Sequence, residues 1–431
     1  MQTALELSKT FASFADLPPE AIIKQDVLRL GIDFDREVFT KALNYKPKDY
    51  FIFSFDLVTL EEQSKDTVFK APEEIRLTGG PWQLRATVIS VRVNPSSPYR
   101  VTLHEGRPVL QLDHEFVAEV EFHGRPEFYN SSMGEHTISE LTPVLEWGYL
   151  LYITAFRLCQ YWGENEECKF CDINANYRQQ KKAGRPYTGV KSPELIVEAL
   201  ALVAEKDTTT KAYTLTGGSI TSQLQGLGEV DFYLRYIKSI EERFPRRWIS
   251  KAVLQAFEND DLLRLKDAGL QIYHPNYEVW DAQLFTQICP GKAATIGRDT
   301  WIRRIIQAAK IFSPSHVIPN FVGGVEMCRP YGFDSIEKAI ASTREGLDFF
   351  MSHGVVPLFT TWCPEPLAGL GAQPAPPLEY FCRLLLAWRD TFEHYQLPVP
   401  PGYGAPGPGH AVFSVSAFMD VIRTPDIKKA E

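Results

Sequence analysis

Several things are missing from this chain of 431 residues. No apolar run approaches the ~20 residues that cross a bilayer, so no segment reads as a membrane-spanning helix. The first residues, Met1-Gln2-Thr3-Ala4-Leu5-Glu6-Leu7, lack the basic-then-apolar pattern of a secretory signal, and none is expected. Basic residues are in deficit: 45 Lys and Arg stand against 54 Asp and Glu, a net charge of −9. No basic stretch interleaved with aromatics offsets this, which argues against nucleic acid as a main partner. Cysteine is sparse and odd in number, seven in all. Disulfide frameworks favour short chains and even counts. These cysteines therefore read as free thiols in a reducing, cytoplasmic setting.

What is present reads as three parts. Residues 1–145 form an N-terminal β-rich (α+β) domain. Pro18-Pro19-Glu20-Ala21 opens a short helix, with proline tolerated in the first turn. Phe51–Phe55, Leu84–Val93 and Phe116–Phe122 read as strands, separated by turns such as Gly79-Gly80-Pro81 and Asn94-Pro95. His104, His114, His123 and His136 are scattered there without ligand spacing. The domain caps an active site, holds a substrate, or is purely structural. Residues 368–431 are a C-terminal extension with a helix from Leu378 to Tyr395 and a Pro/Gly-rich run from Pro398 to His410. Ala411–Val415 reads as a last strand.

Between them, residues 146–367 alternate strands and helices. Strands are expected at Leu150–Phe156, Lys211–Thr216, Trp248–Leu254, Leu270–His274, His316–Val322 and Val355–Trp362. Helices follow at about 192–203, 230–244, 259–268, 299–312 and 335–353. Gly269 closes the third of these helices. Repeated βα units require right-handed crossovers and a parallel sheet. The expected fold is α/β, a partial (βα)6 TIM-like barrel, with a doubly wound sheet as the other option. The unusual residues all follow strands, on the rim where barrel enzymes place their chemistry.

The most unusual are Cys159, Cys168 and Cys171, after the first strand. Eight residues, Gln160 to Glu167, separate the first two, and two separate the last pair. Thiolates are soft ligands. Three of them on a four-iron cluster leave one iron open to a small molecule. A structural zinc site needs a fourth ligand, and the next histidine downstream is His274. Two other readings stay open: a zinc-containing α/β-barrel hydrolase or lyase, and a non-catalytic iron–sulfur scaffold. Cys382 lies on the apolar face of the last helix. Cys289, Cys328 and Cys363 follow the last three strands. They are ligands of an auxiliary cluster, a hydrogen-atom donor, a sulfur source, or unrelated thiols.

From about residue 147 to 367 the chain resembles the radical S-adenosylmethionine (SAM) superfamily, in its biotin synthase-like branch. That resemblance implies a [4Fe-4S] cluster held by Cys159, Cys168 and Cys171, with SAM on the open iron. It further implies that Phe170 meets the SAM adenine and that Gly217-Gly218 cradles the amino group. Asn276 and Glu278 resemble the ribose-contacting pair. Arg304 matches an arginine near the carboxylate, with Arg298 and Arg303 as competitors. The turn Val322-Gly323-Gly324-Val325-Glu326 resembles the one that flanks the adenine, through Val325. The reaction implied is reductive cleavage of SAM, then hydrogen abstraction from a small-molecule substrate, with a flavodoxin- or ferredoxin-type electron donor. Two departures stand out. The common spacing has three residues where this chain has eight, and the usual Gly-Gly-Glu reads Gly-Gly-Ser, ending at Ser219. The long loop is expected at the barrel mouth, with Glu164, Glu166 and Glu167 either shielding the cluster or facing the electron donor.

Overall fold

In the computed structural model the described residues are 3–41, 44–48, 56–58, 71–182, 184 and 189–423. The strand expected at Phe51–Phe55 lies outside them. The N-terminal part holds helices α1 (Ala4–Ser13), α2 (Pro19–Leu30) and α3 (Glu37–Lys41). Its six strands are β1 (Asp33–Phe34), β2 (Glu74–Gly79), β3 (Leu84–Ser90), β4 (Tyr99–His104), β5 (Arg107–Leu112) and β6 (Glu115–Phe122). They pair in the order β1-β4-β5-β6-β2-β3, antiparallel except for β1 with β4. A short hairpin, β7 (Ser132–Met133) and β8 (His136–Thr137), leads through α4 (Ile138–Leu141) to β9 (Val144–Leu145).

The barrel follows. Its strands are β10 (Leu150–Thr154), β11 (Ala212–Thr216), β12 (Ile249–Leu254), β13 (Ile272–Pro275), β14 (Asn320–Gly323) and β15 (Leu358–Thr361). The first four pair in parallel in chain order, and β9 adds an antiparallel edge beside β10. β14 and β15 pair in parallel, and parallel bridges at Tyr273–Val317 and Glu278–Phe321 join them to β13. All five residues of β11 are buried, as expected of a parallel strand covered on both faces.

The crossover helices are α5 (Ile173–Lys182), α6 (Pro193–Lys206), α7 (Glu229–Arg243), α8 (Asn259–Asp267), α9 (Ala282–Ile288), α10 (Pro290–Thr295), α11 (Arg298–Phe312) and α12 (Ile336–Met351), with α13 (Leu378–His394) last. Local chemistry sets their starts. Ser192, Asp281 and Ser335 each accept a backbone N–H of the first turn, the usual N-cap arrangement.

Several boundaries differ from expectation. The fifth and sixth strands begin only at Asn320 and Leu358. Each starts directly after a proline, Pro319 or Pro357, which has no N–H to give a ladder. Helices α5, α9 and α10 were not expected from the pattern. Ala411–Val415 is not a strand. It is an extended seam: Ser90 N–H donates to Ser414 O at 3.0 Å and Thr361 N–H to Val415 O at 3.1 Å. The seam joins β3 of the N-terminal sheet to β15, the last barrel strand.

Candidate cofactor and active site

Alternation along each strand decides what the barrel encloses. Tyr152, Thr214, Lys251, His274, Asn320 and Thr360 all face one cavity of about 330 Å³. Barrels normally fill this space with branched apolar side chains. Here six strand positions put polar side chains into an otherwise mostly apolar wall, which leaves a chamber. At the C-terminal ends of the strands the same cavity is lined by Cys159, Cys168, Cys171, Phe170, Gly217, Gly218, Asn276 and Glu278. Nearly all the residues singled out in the sequence thus meet at one place.

The loop carrying the cysteines is held on several sides. Asn174 of α5 accepts from Cys159 N–H at 2.9 Å, and its amide donates to the carbonyls of Cys159 and Tyr161 at 3.1 and 2.8 Å. The Tyr161 hydroxyl donates to Gln255 Oε1 at 2.6 Å. Gln255 is in turn bound through its N–H to the buried Glu229 carboxylate at 2.9 Å. The loop's acids close it internally. Glu166 accepts from Trp162 N–H, while Glu167 accepts from Gly163 N–H and pairs with Arg178 at 2.6 Å. Glu164 is exposed.

The glycine pair has a packing role visible here. A Cβ on Gly218 would lie 2.2 Å from Leu158 O and 2.5 Å from Cys159 Cα. One on Gly217 would lie 2.6 Å from Phe156 and Tyr233. No real Cβ tolerates such contacts, so the two glycines let the cysteine loop close onto the end of β11.

Glu278 stands on the wall with φ +66°, a strained conformation for a residue with a side chain. Its carboxylate takes the Lys292 ammonium at 2.5 Å, and Lys292 also donates to Asn276 O at 3.2 Å. Burial alone would lower the Lys292 pKa, but the charges of Glu278, Cys168 and Cys289 raise it instead. Asn276 Oδ1 accepts from Asn320 N–H at 3.1 Å, tying β13 to β14. Burial, then the neighbouring Cys168, pushes the Cys159 thiol up to about 11. Burial, then Asp172, raises Cys171 well above the ordinary thiol range.

Two expected residues are placed elsewhere. Glu258 and the Ala256 carbonyl hold Arg304 outside the cavity, at 2.9 and 2.8 Å. Arg303 also pairs with Glu258, and Arg298 donates to Trp280 O. Among the described residues none of the three arginines lines the chamber. Val325 is fully buried behind the wall, at the start of a short 3-10 turn. The three other rim cysteines do not form one group. Cys289 and Cys328 share a small apolar cluster, whereas Cys363 lines the chamber together with Asp172 and Glu365. Among the described residues no three His, Cys, Asp or Glu side chains gather closely enough for a single metal ion.

Sequence reasoning missed Asn174, Lys292, Gln255 and Glu229. Lys292 sits three residues after Cys289 on a helix too short to leave a periodic signal. Asn174 follows the cysteine motif directly, and only its fold-back onto Cys159 gives it a role.

No protein-family model matches the chain. Among curated proteins, the bacteriochlorophyllide c C-7(1)-hydroxylase of Chlorobaculum limnaeum is 27% identical over 134 residues, 31% of this chain. The match spans 29% of that protein's length. Among solved structures, methylornithine synthase (PylB) is similar over 57% of this chain and 62% of its own, at 14% identity and a TM-score of 0.41. HydG, a maturase of the [FeFe]-hydrogenase, is similar over 58% and 51%, at 12% identity and a TM-score of 0.41.

Proposed function

We propose, from the residues that carry the resemblance to the radical SAM superfamily, that the chain binds a [4Fe-4S] cluster and SAM and acts on a small molecule inside the barrel. One observation carries the reading: Cys159, Cys168 and Cys171 line a cavity that continues into the barrel interior, past Lys251, His274, Asn320 and Thr360. The donor set fits the group. Three soft thiols lining one cavity suit an iron–sulfur cluster with one open iron, whereas a structural zinc ion takes a fourth ligand.

A bound cluster supplies the electron that cleaves SAM reductively. The chain's own residues do the rest. Asn174 and the Tyr161–Gln255–Glu229 chain fix the cysteine loop. Glu278, with one carboxylate oxygen on Lys292, keeps the other for a ribose hydroxyl beside Asn276. Lys251, His274, Asn320 and Thr360 orient the substrate deeper in the chamber, which holds it near the reacting end of SAM and away from water. The chamber volume falls in the range of small-ligand sites. A flavodoxin- or ferredoxin-type protein is the electron donor, and the free thiols fit a reducing cytoplasm. Among the described residues no helix is long and apolar enough to cross a membrane.

The test is anaerobic purification and reconstitution, followed by iron and sulfide analysis and a SAM-cleavage assay under reduction. About four irons per chain, lost in a Cys159→Ala, Cys168→Ala, Cys171→Ala triple variant, is the expected result. Stoichiometric zinc, or a cluster retained by the triple variant, overturns it. A cluster that never cleaves SAM reduces the chain to an iron–sulfur scaffold.

A further inference from the structure

The chamber holds more acid than the chain itself matches. Seven acidic side chains line it against two lysines. Four of the seven have partners. Glu278 takes Lys292 and Glu167 takes Arg178. Glu229 accepts from the N–H groups of Gln255 and Ile220, both at 2.9 Å, and Asp172 accepts from Asn176. The other three, Glu73, Glu146 and Glu365, are 6%, 5% and 6% exposed. Oε2 of Glu73 and Oε2 of Glu146 are buried without a hydrogen-bond partner, and among the described residues no hydrogen bond or ion pair reaches the Glu365 carboxylate. The second lysine does not answer them. Lys251 donates to Gly402 O at 2.6 Å and lies over the Tyr403 ring at 4.2 Å, and among the described residues it forms no ion pair with any of the three.

Three parts of the fold deliver these carboxylates, each on a fixed backbone. Glu73 stands directly before β2. Its N–H donates to Lys46 O at 3.2 Å, and its carbonyl accepts from Val91 N–H at 3.0 Å. Glu146 sits in the left-handed turn before β10, with φ +54°. Glu365 follows β15, in a turn where Ala368 N–H donates to Glu365 O at 3.0 Å. A Cβ on Gly371 would lie 2.1 Å from that same oxygen, so the chain packs tightly against the turn. Burial raises the pKa of all three carboxyls, that of Glu146 to about 7. A buried carboxylate without a donor is costly, and a ligand that brings the missing donors and charge offsets that cost.

We propose that the molecule held in the barrel carries a protonated primary amine, and that Glu73, Glu146 and Glu365 select for it. This rests on the chamber being the substrate site. An ammonium brings positive charge and three N–H donors, which are the two things these carboxylates lack. A quaternary ammonium brings the charge alone and leaves the sealed oxygens unpaired. An anionic substrate would add to the excess of negative charge. A metal ion fits less well, because among the described residues no three acidic, His or Cys side chains gather round one point.

The experiment is an anaerobic calorimetric titration of the reconstituted holoprotein. SAM is itself a cation, so it is present at saturation throughout. The probes are diaminobutane, butanediol, succinate and the fully methylated, bis-quaternary form of the diamine. Diaminobutane should bind saturably, and butanediol and succinate should not. The quaternary form should bind roughly tenfold more weakly, the size of one charge-assisted hydrogen bond. The double variant Glu73→Gln, Glu365→Gln and the single variant Glu146→Gln should keep full iron and should each weaken diaminobutane by roughly tenfold or more. If the variants do not fold, the order of the four probes on wild type decides alone. Equal binding of diamine and diol, a preference for succinate, or unchanged affinity in folded variants overturns the inference. A wild-type protein with full iron that binds no amine overturns it and leaves the cluster reading standing. A protein that binds the amine in the expected order but takes up no iron supports the amine site and refutes the cluster reading.

Discussion

Asn174 spends its whole side-chain amide on one short loop, with three hydrogen bonds to Cys159 and Tyr161. It is 2% exposed, so alanine would leave those backbone groups without a partner. Asn174→Ala should cost about 2–4 kcal/mol in the iron-free chain and lower the iron retained after reconstitution. Urea unfolding and iron analysis check both. Full iron with an unchanged midpoint would show that the loop needs no clamp. His274 supports a second residue-scale prediction. Burial, then the Lys251 charge, pushes its pKa from 6.5 down to about 3, and Tyr403 hydroxyl bonds its Nε2 at 2.7 Å. The unfolded chain therefore takes up this proton first as pH falls. The stability His274 contributes is present above about 6.5 and is lost as pH drops toward 3. The loss is at most about 5 kcal/mol. Glu146 opposes this over part of the range. Its pKa is raised to about 7, chiefly by burial, so it favours the folded state at lower pH. The difference between wild type and His274→Gln isolates the histidine. That difference should shrink as pH falls from 6.5 toward 3, and a pH-independent difference would refute the assignment.

At the scale of elements, α2 is the instructive case. Every residue from Glu20 to Arg29 is buried, although the stretch holds Glu20, Lys24, Asp26 and Arg29 and reads from sequence only as a short helix. Lys24 pairs with Asp420 at 2.8 Å, both without side-chain exposure. Asp420 also accepts from Thr87 at 3.1 Å, and the Thr361 hydroxyl donates to Gln25. Lys24→Met should strand a buried carboxylate and cost about 3–5 kcal/mol, while Lys24→Met with Asp420→Leu should recover most of that loss. Denaturant midpoints of the two variants decide it. The barrel elements were legible because their signals are local: period, caps at Ser192 and Ser335, glycines after strands. Nothing local reveals α2's environment, because the partner of Lys24 lies 396 residues away. The strand ends failed for a different reason. The apolar runs before Asn320 and Leu358 look continuous, but Pro319 and Pro357 cannot enter a ladder. The site shows the same division. The cysteines, the glycine pair and the Asn276–Glu278 pair could be read from position along the chain. Lys292 and Asn174 acquire their roles only through folding.

Across the whole molecule, the barrel is open between β15 and its first strands, and other parts of the chain complete it. The Ser414–Val415 seam links β15 to β3, and α2 packs beside β15 and α13. A single apolar core runs from Leu7 to Ile422. The N-terminal sheet also shapes the chamber floor. Glu74 of β2 accepts from Glu146 and Trp147 N–H at 2.7 and 3.1 Å. Those two residues are left-handed, with φ +54° and +55°, a conformation that costs about 1–3 kcal/mol each and persists only when the surroundings impose it. The turn places Glu146 on the chamber wall beside Lys251, whose ammonium donates to Gly402 O at 2.6 Å. A chain beginning at Glu146 would lose β9, α2, the Glu74 clamp and the β3 side of the seam together. The apolar faces of α13 and β15 would then meet water. Such a fragment should be recovered as aggregate, or should melt without a cooperative transition, and should not retain iron after reconstitution. Calorimetry and iron analysis on the fragment and the full chain would settle it. A soluble fragment with one sharp transition would show that the barrel stands alone and that the N-terminal sheet serves the substrate rather than the fold.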